Sequence, residues 1–326
     1  MEKKSGEDIK FYKMIEERKK IILLVGYGHS GSTLMDIIFD CSSEVVGVGE
    51  FFQLKNSLKF DLYCSCLKRV EDCQFWKKII RGEEVLSLKI GRRLIDFLFN
   101  RNNWKKWVKG REEKVDEEEY IRWHEDYYKR ILDQSGGKVI FDSSKDVDRA
   151  ELLLKNKEFE TIIIHLVRDG RGAALSFFKV NPKKSILYYM FRWVVENLKV
   201  EIVKWRNREV KNIFINYKNF SERPKEVLKE VFDELGLVFK PDFIDNFSQK
   251  EHYQVGGNLN LRKRVFRENK VEIKRDLRWK EELSALNKLA FIVLFGWLNL
   301  YYYLRSRCEV GTLKFLDKLK FIKIWR

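Results

Sequence analysis

IILLVGYGHSGSTLMDIIFD, residues 21–40, reads as three pieces in succession. The run IILLVG is continuously apolar and of strand length, the pattern of a strand buried on both faces of a parallel sheet. GYGHSGST follows, and then Leu34, Ile37 and Ile38 recur at helical spacing. Strand, glycine-rich turn and helix are the setting of a phosphate-binding loop. Backbone N–H groups at the helix start point at an anion, and the helix dipole favours it. Ser32 and Thr33 add hydroxyl donors at the same place. Gly26 and Gly31 fit G-x-x-x-x-G, yet Ser32 stands where a nucleoside triphosphatase carries lysine. That lysine spans the β- and γ-phosphates, so this loop suits a smaller group than a triphosphate.

TIIIHLVRDGRGAALSFFK, residues 161–179, repeats the grammar. An apolar strand ends in charge and runs into a helix. Arg168 falls at the C-terminal edge of that strand, where ligands bind in open α/β sheets. Ser176 lies eight residues on, about two helical turns away. Arginine and serine together make a clamp for a further phosphate; the plainer alternative is a surface ion pair with Asp169.

The rest of the chain sets the frame. Its 326 residues are 44% hydrophobic and 14% aromatic, with three prolines. No Ser/Gly-rich linker or internal repeat appears, so one domain over 1–326 is expected. The charged N-terminal stretch MEKKSGEDIKFYKMIEERKK lacks the apolar core of a secretory signal. LAFIVLFGWLNLYYYL (289–304) is 16 residues long, short of the about 20 of a spanning helix, and reads as a buried helix. A soluble, cytoplasmic protein is the expectation. Five cysteines make no disulfide scaffold. Cys64, Cys66 and Cys73 cluster in CSCLKRVEDCQFW, but zinc wants four ligands; reduced thiols or one local disulfide are the plainer readings, and no metal ligand set is assigned. The net charge of +16 concentrates in LRKRVFRENKVEIKRDLRWK (261–280) and in the tail LKFLDKLKFIKIWR (313–326). Such patches suit anionic ligands or lipid, and equally a solvated helix face.

HSGSTL and LVRDGRGAALS together resemble the two signature segments of the sulfotransferases that use 3′-phosphoadenosine-5′-phosphosulfate (PAPS). Further segments are similar in family order: SSEVVGVGEFFQL, VIFDSSKDVDRAELLLK, FINYKNFSERPKEVLKEVFDELGL and HYQVGGNLNLR. CSC…CQFW looks like a cysteine–tryptophan element of bacterial members. The resemblance spans about residues 21 to 300 and leans towards the bacterial and carbohydrate-type members. It implies an α/β, three-layer, P-loop-containing fold with a central parallel sheet, and strands near 21–26, 45–48, 139–142, 161–167 and 213–216 agree. The charged segment from about 55 to 135 reads as a helical cap insertion, in which RNNWKKWVKGR could meet an anionic acceptor, a solvated helix being the plainer reading.

By residue, the resemblance puts Ser30, Gly31, Ser32 and Thr33 on the 5′-phosphosulfate and Arg168 and Ser176 on the 3′-phosphate. Tyr217 would stack on or hydrogen-bond the nucleotide, and Gly257, Asn258 and Arg262 would form a loop over the 3′-phosphate. Glu50 falls on the base position of the tyrosylprotein type, with His29 the rival base. Lys145 would stabilise charge on the bridging oxygen, and Ser143 or Ser144 would contact substrate. Two departures stand out: His29 replaces the usual arginine, with protonation the way to restore its charge, and RDGR replaces RDPR. The implied reaction is in-line sulfuryl transfer from PAPS to a hydroxyl or amine without a metal. Its acceptor would be a carbohydrate, glycolipid or small hydroxylated metabolite. Leu313, Leu316, Leu319 and Ile322 give the basic tail an apolar stripe suited to peripheral membrane contact, and equally to capping the core. The rivals are a P-loop kinase or NTPase, which Ser32 argues against, and a non-enzymatic anionic-surface binder. Binding to nucleic acid would leave the ordered motifs unexplained.

Overall fold

A computed structural model describes residues 19–56, 62–80, 116–246, 250–268 and 273–307. Five parallel strands form one sheet in the order β2-β3-β1-β4-β5. They are β1 (Lys20–Val25), β2 (Val45–Gly49), β3 (Val139–Lys145), β4 (Glu160–Val167) and β5 (Asn212–Asn216). Each lies within about three residues of the strand expected from its apolar run. Helix α1 (Ser32–Asp40) follows β1, α2 (Gln74–Ile79) and α3 (Glu117–Ser135) lie between β2 and β3, and α4 (Val147–Leu153) follows β3. After β4 come α5 (Gly170–Val180) and α6 (Ile186–Arg206). After β5 come α7 (Tyr217–Glu222), α8 (Pro224–Leu235), α9 (Asp242–Asp245), α10 (Leu259–Glu268), α11 (Trp279–Glu282) and α12 (Ala285–Arg305).

Because side chains alternate across a strand, β1 feeds two cores. Ile21, Leu23 and Val25 face α3, α4 and α6 with Tyr127, Leu153 and Val200. Ile22 and Leu24 face α1 and α8 with Ile38, Phe39 and Phe232. The Phe39 ring lies between Phe141 and Phe232, with centroids 4.4 and 4.5 Å away. Helices on both faces of a parallel sheet make the three-layer α/β architecture.

The stretch expected as a cap over 55–135 is described in part. It contains α2, α3 and a turn at 62–73, while RNNWKKWVKGR lies outside the described residues. One buried ion pair ties this region to the sheet. Asp142 on β3 pairs with Arg149 of α4 at 2.7 Å and accepts the Tyr128 hydroxyl of α3 at 2.5 Å. Breaking such a pair by removing one partner costs about 3–5 kcal/mol.

Helix α12 corrects the expectation of a buried helix. Phe291, Leu298 and Tyr302 are buried, packing with α5 and α6. Leu286, Leu289, Val293, Trp297, Leu300 and Leu304 are each more than half exposed. Those six positions, spaced three or four apart, form one continuous stripe. The reason is geometric: only one face of the helix meets the body. By length and composition this helix could also cross a membrane.

Candidate active site

Each of the five strands delivers a candidate residue at its C-terminal end, where ligands collect in open α/β sheets. β1 runs into the loop 26–31, β2 into Glu50, β4 into Arg168 and β5 into Tyr217, while β3 ends on Lys145. Irregular register bends two of these ends. The pairing slips between Gly47 and Gly49 of β2 against β3, and between Leu23 and Val25 of β1 against β3. Such bulges re-aim side chains.

The loop turns under β4 and α5. Gly26 sits at φ +129°, and a Cβ there would fall 2.7 Å from the Leu166 carbonyl oxygen. Gly31, at φ +93°, precedes α1 and leaves its side open to the Tyr217 ring, 3.2 Å from where a Cβ would be. Ser30 is buried, and its hydroxyl donates to Tyr27 O at 2.7 Å, which closes the turn. Among the described residues no side chain caps α1, and no acidic residue lies in its first turn. Its leading N–H groups thus face the loop mouth as anion donors.

Glu50 and Lys145 meet across β2 and β3. Glu50 Oε1 pairs with Lys145 Nζ, and Oε2 accepts from Gln53. Lys145 adopts φ +63°, rare for a side chain of its length, and its Nζ also donates to Ser143 O at 3.2 Å. The twist is held from behind, since Asp142 Oδ1 accepts both Ser144 N–H and its hydroxyl, at 2.9 and 2.5 Å. Ser143 and Ser144 are buried, and Ser144 also accepts from Phe52 N–H. Both therefore support the strand end.

His29 lies among these groups. Burial first, then the Lys145 and Arg168 cations, lower its pKa to about 4 against the opposing pull of Glu50. At neutral pH its imidazole is uncharged, so it does not supply the positive charge of the arginine it replaces. Its ring rests edge-on against Phe177, 4.5 Å between centroids.

Arg168 is buried and strapped to the loop. Nη1 donates to His29 O at 2.7 Å, Nη2 pairs with Asp276 at 2.9 Å, and the guanidinium lies 5.0 Å from the Tyr217 ring centre. Asp169, the alternative partner read from the sequence, pairs with Arg171 instead, at 2.7 Å. A cleft opens beside Arg168, lined by Tyr217, Lys218, Arg275, Trp279 and Tyr303 among others. Sequence reading missed Arg275, Asp276 and Trp279, whose only signal was membership of the basic stretch 261–280.

Gly257 and Asn258 arrive from the far side. Asn258 N–H donates to Thr33 Oγ1 at 3.2 Å. A Cβ on Gly257 would stand 2.9 Å from Thr33 Oγ1 and 3.8 Å from Glu50 Oε1. The structure thus brings together His29, Gly31, Thr33, Glu50, Lys145, Arg168, Tyr217, Gly257 and Asn258. Ser32 is buried in the first turn of α1, and Ser176 sits half-buried on α5, with no contact to the group around Glu50 described. Arg262 is placed elsewhere. It is 2% exposed and donates to the carbonyls of Tyr63 and Gln254, at 3.0 and 2.8 Å. Asp40, which no motif flagged, anchors the approach of segment 250–254 by accepting from His252 at 2.6 Å and Gln254 at 3.1 Å.

No family model and no curated protein matches this chain. Among solved structures it is similar to a sulfotransferase domain from the curacin biosynthetic pathway, at 16% identity and TM-score 0.45 over 72% of this chain and 79% of that one. It is likewise similar to the sulfotransferase domain of the Synechococcus PCC 7002 olefin synthase, at 16% and 0.47, over 82% and 88%. A Mycobacterium avium sulfotransferase gives 11% and 0.43, over 83% and 84%. Identity and score are low throughout, so the chemistry has to come from the residues themselves.

Proposed function

We propose that this chain is a sulfotransferase, moving the sulfuryl group of PAPS to a hydroxyl or amine of a carbohydrate, glycolipid or small metabolite. The observation that carries the reading is the convergence of a lysine-less loop, the Glu50–Lys145 pair and the strapped Arg168 on one sheet edge. The groups present suit the donor. Uncapped N–H groups of α1 and the Thr33 hydroxyl suit its phosphosulfate. The cleft beside Arg168, with Lys218, Arg275 and the rings of Tyr217 and Trp279, suits a phosphorylated nucleoside by charge and stacking.

In this reading Glu50 accepts the proton of the acceptor O–H as that oxygen forms its bond to sulfur. The bond from sulfur to the bridging phosphate oxygen breaks, and the electron pair stays on adenosine 3′,5′-bisphosphate. Lys145 leaves Glu50 for that oxygen and neutralises the growing charge. Neutral His29 offers a ring nitrogen to the loop without adding a cation. Asp276, on Arg168, gives way to the incoming phosphate. The transfer asks for no metal, because positioning and fixed donors carry it.

The exposed stripe of α12 extends the reading to location. An amphipathic helix with one face on the body and an apolar face outward is built to lie in a lipid interface. The Lys-rich tail 313–326 follows it in sequence, though outside the described residues. A cytoplasmic enzyme at an anionic membrane surface, reaching a lipid-linked acceptor, is the arrangement we infer.

Calorimetric titration with adenosine 3′,5′-bisphosphate, ATP and 5′-AMP, in EDTA and then Mg²⁺, tests the donor class. Metal-independent preference for the bisphosphate is expected. Arg168→Ala should weaken it by about 10- to 150-fold, the worth of a charged hydrogen bond. Preference for ATP with Mg²⁺ would overturn the proposal in favour of a kinase.

A further inference from the structure

The turn at 62–73 brings three sulfurs together by local geometry. An isolated bridge pairs Tyr63 with Arg69, Cys64 N–H donates to Lys68 O at 2.9 Å, and Leu67 takes φ +64° to close the bend. A 3₁₀ turn, Val70–Asp72, then returns the chain to Cys73. The three Sγ atoms all lie within 4.8 Å of one another, and all three thiols are free. Cys64 and Cys73 stand 3.7 Å apart, Sγ to Sγ. With zinc–sulfur bonds of about 2.3 Å, a tetrahedral site has a sulfur–sulfur edge of about 3.8 Å.

A second observation concerns charge. Arg262 is buried against this turn, and the hydrogen bonds described for it go to neutral acceptors, Tyr63 O, the Ser65 hydroxyl and Gln254 O. Its Nε has no hydrogen-bond partner among the described residues. Burying this cation is costly, and no direct ion pair to it occurs among the described residues, where the Asp36 and Glu50 carboxylates act on it only through space. Three thiolates on Zn²⁺ carry a net charge of −1, which offsets it.

We propose that Cys64, Cys66 and Cys73 hold one zinc ion as a three-thiolate centre, its fourth position open to solvent beside half-buried Cys66. Binding releases the thiol protons to water, with no redox change. The centre is structural. Val255 bridges to both Cys64 and Gly49, Ser65 N–H donates to Gln254 O at 2.9 Å, and Trp76 Nε1 donates to Tyr253 O at 2.8 Å. Glu50 N–H in turn donates to Val255 O at 2.7 Å. Zinc would fasten the strip of backbone on which Glu50 is seated, and the inference stands whatever reaction that carboxylate serves.

The test uses full-length protein prepared under reducing conditions. Zinc is titrated against a chromogenic chelator, Co²⁺ is followed by its thiolate charge-transfer and tetrahedral ligand-field bands, and the thermal midpoint is read with and without zinc. The expectation is one equivalent of metal, tetrahedral thiolate bands and a zinc-dependent rise in midpoint. All three should vanish in Cys66→Ser and persist in Cys41→Ser. Arg262→Gln should weaken zinc affinity by about 10- to 100-fold, as loss of an outer-shell partner does. Near-ultraviolet circular dichroism establishes that each variant is folded. Substoichiometric metal, binding indifferent to Cys66→Ser, or a Cys64–Cys73 disulfide in the reduced preparation would each overturn the proposal.

Discussion

His29→Gln isolates the electrostatics of the loop. Burial and two cations hold the imidazole at about 4, whereas an unfolded histidine titrates near 6.5. The folded pKa is the lower one, so between these values the unfolded chain binds more protons and stability rises with pH. The contribution is therefore intact above about pH 6.5 and is lost as pH falls towards 4. From those two pKa values, the His29 penalty is about 0.2 kcal/mol at pH 7 and about 2 kcal/mol at pH 5. Other buried histidines, His124 and His165, are also held low, so the quantity to read is wild type minus His29→Gln. Urea unfolding at pH 7 and pH 5 should show that difference changing by about 2 kcal/mol, with His29→Gln the less acid-sensitive. Adenosine 3′,5′-bisphosphate, by placing negative charge at the loop, should shrink it. A difference that stays flat between the two pH values would refute the burial of His29 beside Lys145 and Arg168.

Glu50→Gln should reduce turnover by about 100- to 10,000-fold, the range for a positioned base, while leaving bisphosphate affinity within a few-fold; equal losses in both would deny it the role of base. Gly49→Ala should destabilise by about 3 kcal/mol or more, because Gly49 has φ +73° and its Cβ would run into the Val255 carbonyl. Gly136→Ala, at φ +72° with open space around it, should lose only about 1 kcal/mol; equal denaturation midpoints would remove the crowding argument. Val293→Glu on the exposed stripe should cut binding to anionic lipid vesicles by about tenfold or more in a flotation assay, and an unchanged partition would place α12 away from the membrane.

The strands were legible because each is built on a short apolar run, unbroken and buried on both faces in β1 and β4 and alternating in burial in β5, which periodicity reports directly. The loop was legible because its glycines answer local needs, visible in the φ values of Gly26 and Gly31. Arg262 was not, since a buried arginine looks like any other in the stretch LRKRVFR. The exposure of α12 was hidden for the opposite reason: apolar composition states what a helix could bury, and only packing decides which face does. Asp276 and Trp279 meet Arg168 and Arg171 across more than 100 residues of chain, a pairing no window of sequence contains. The cysteines were seen as a cluster, but their convergence depends on Leu67 and the Tyr63–Arg69 bridge.

That every strand end supplies one element of the site also governs when the site can exist. β1 emerges first in synthesis, yet its flanking partners are β3 and β4, more than a hundred residues later. Arg168 is then clasped by Asp276, later still. Parallel pairings of such long separation form slowly, so no partial chain ending before residue 276 holds the assembled anion site. Regain of bisphosphate binding during refolding should therefore trail the recovery of helical signal, and the nascent chain leaves the ribosome without its anion site until the whole sheet has closed.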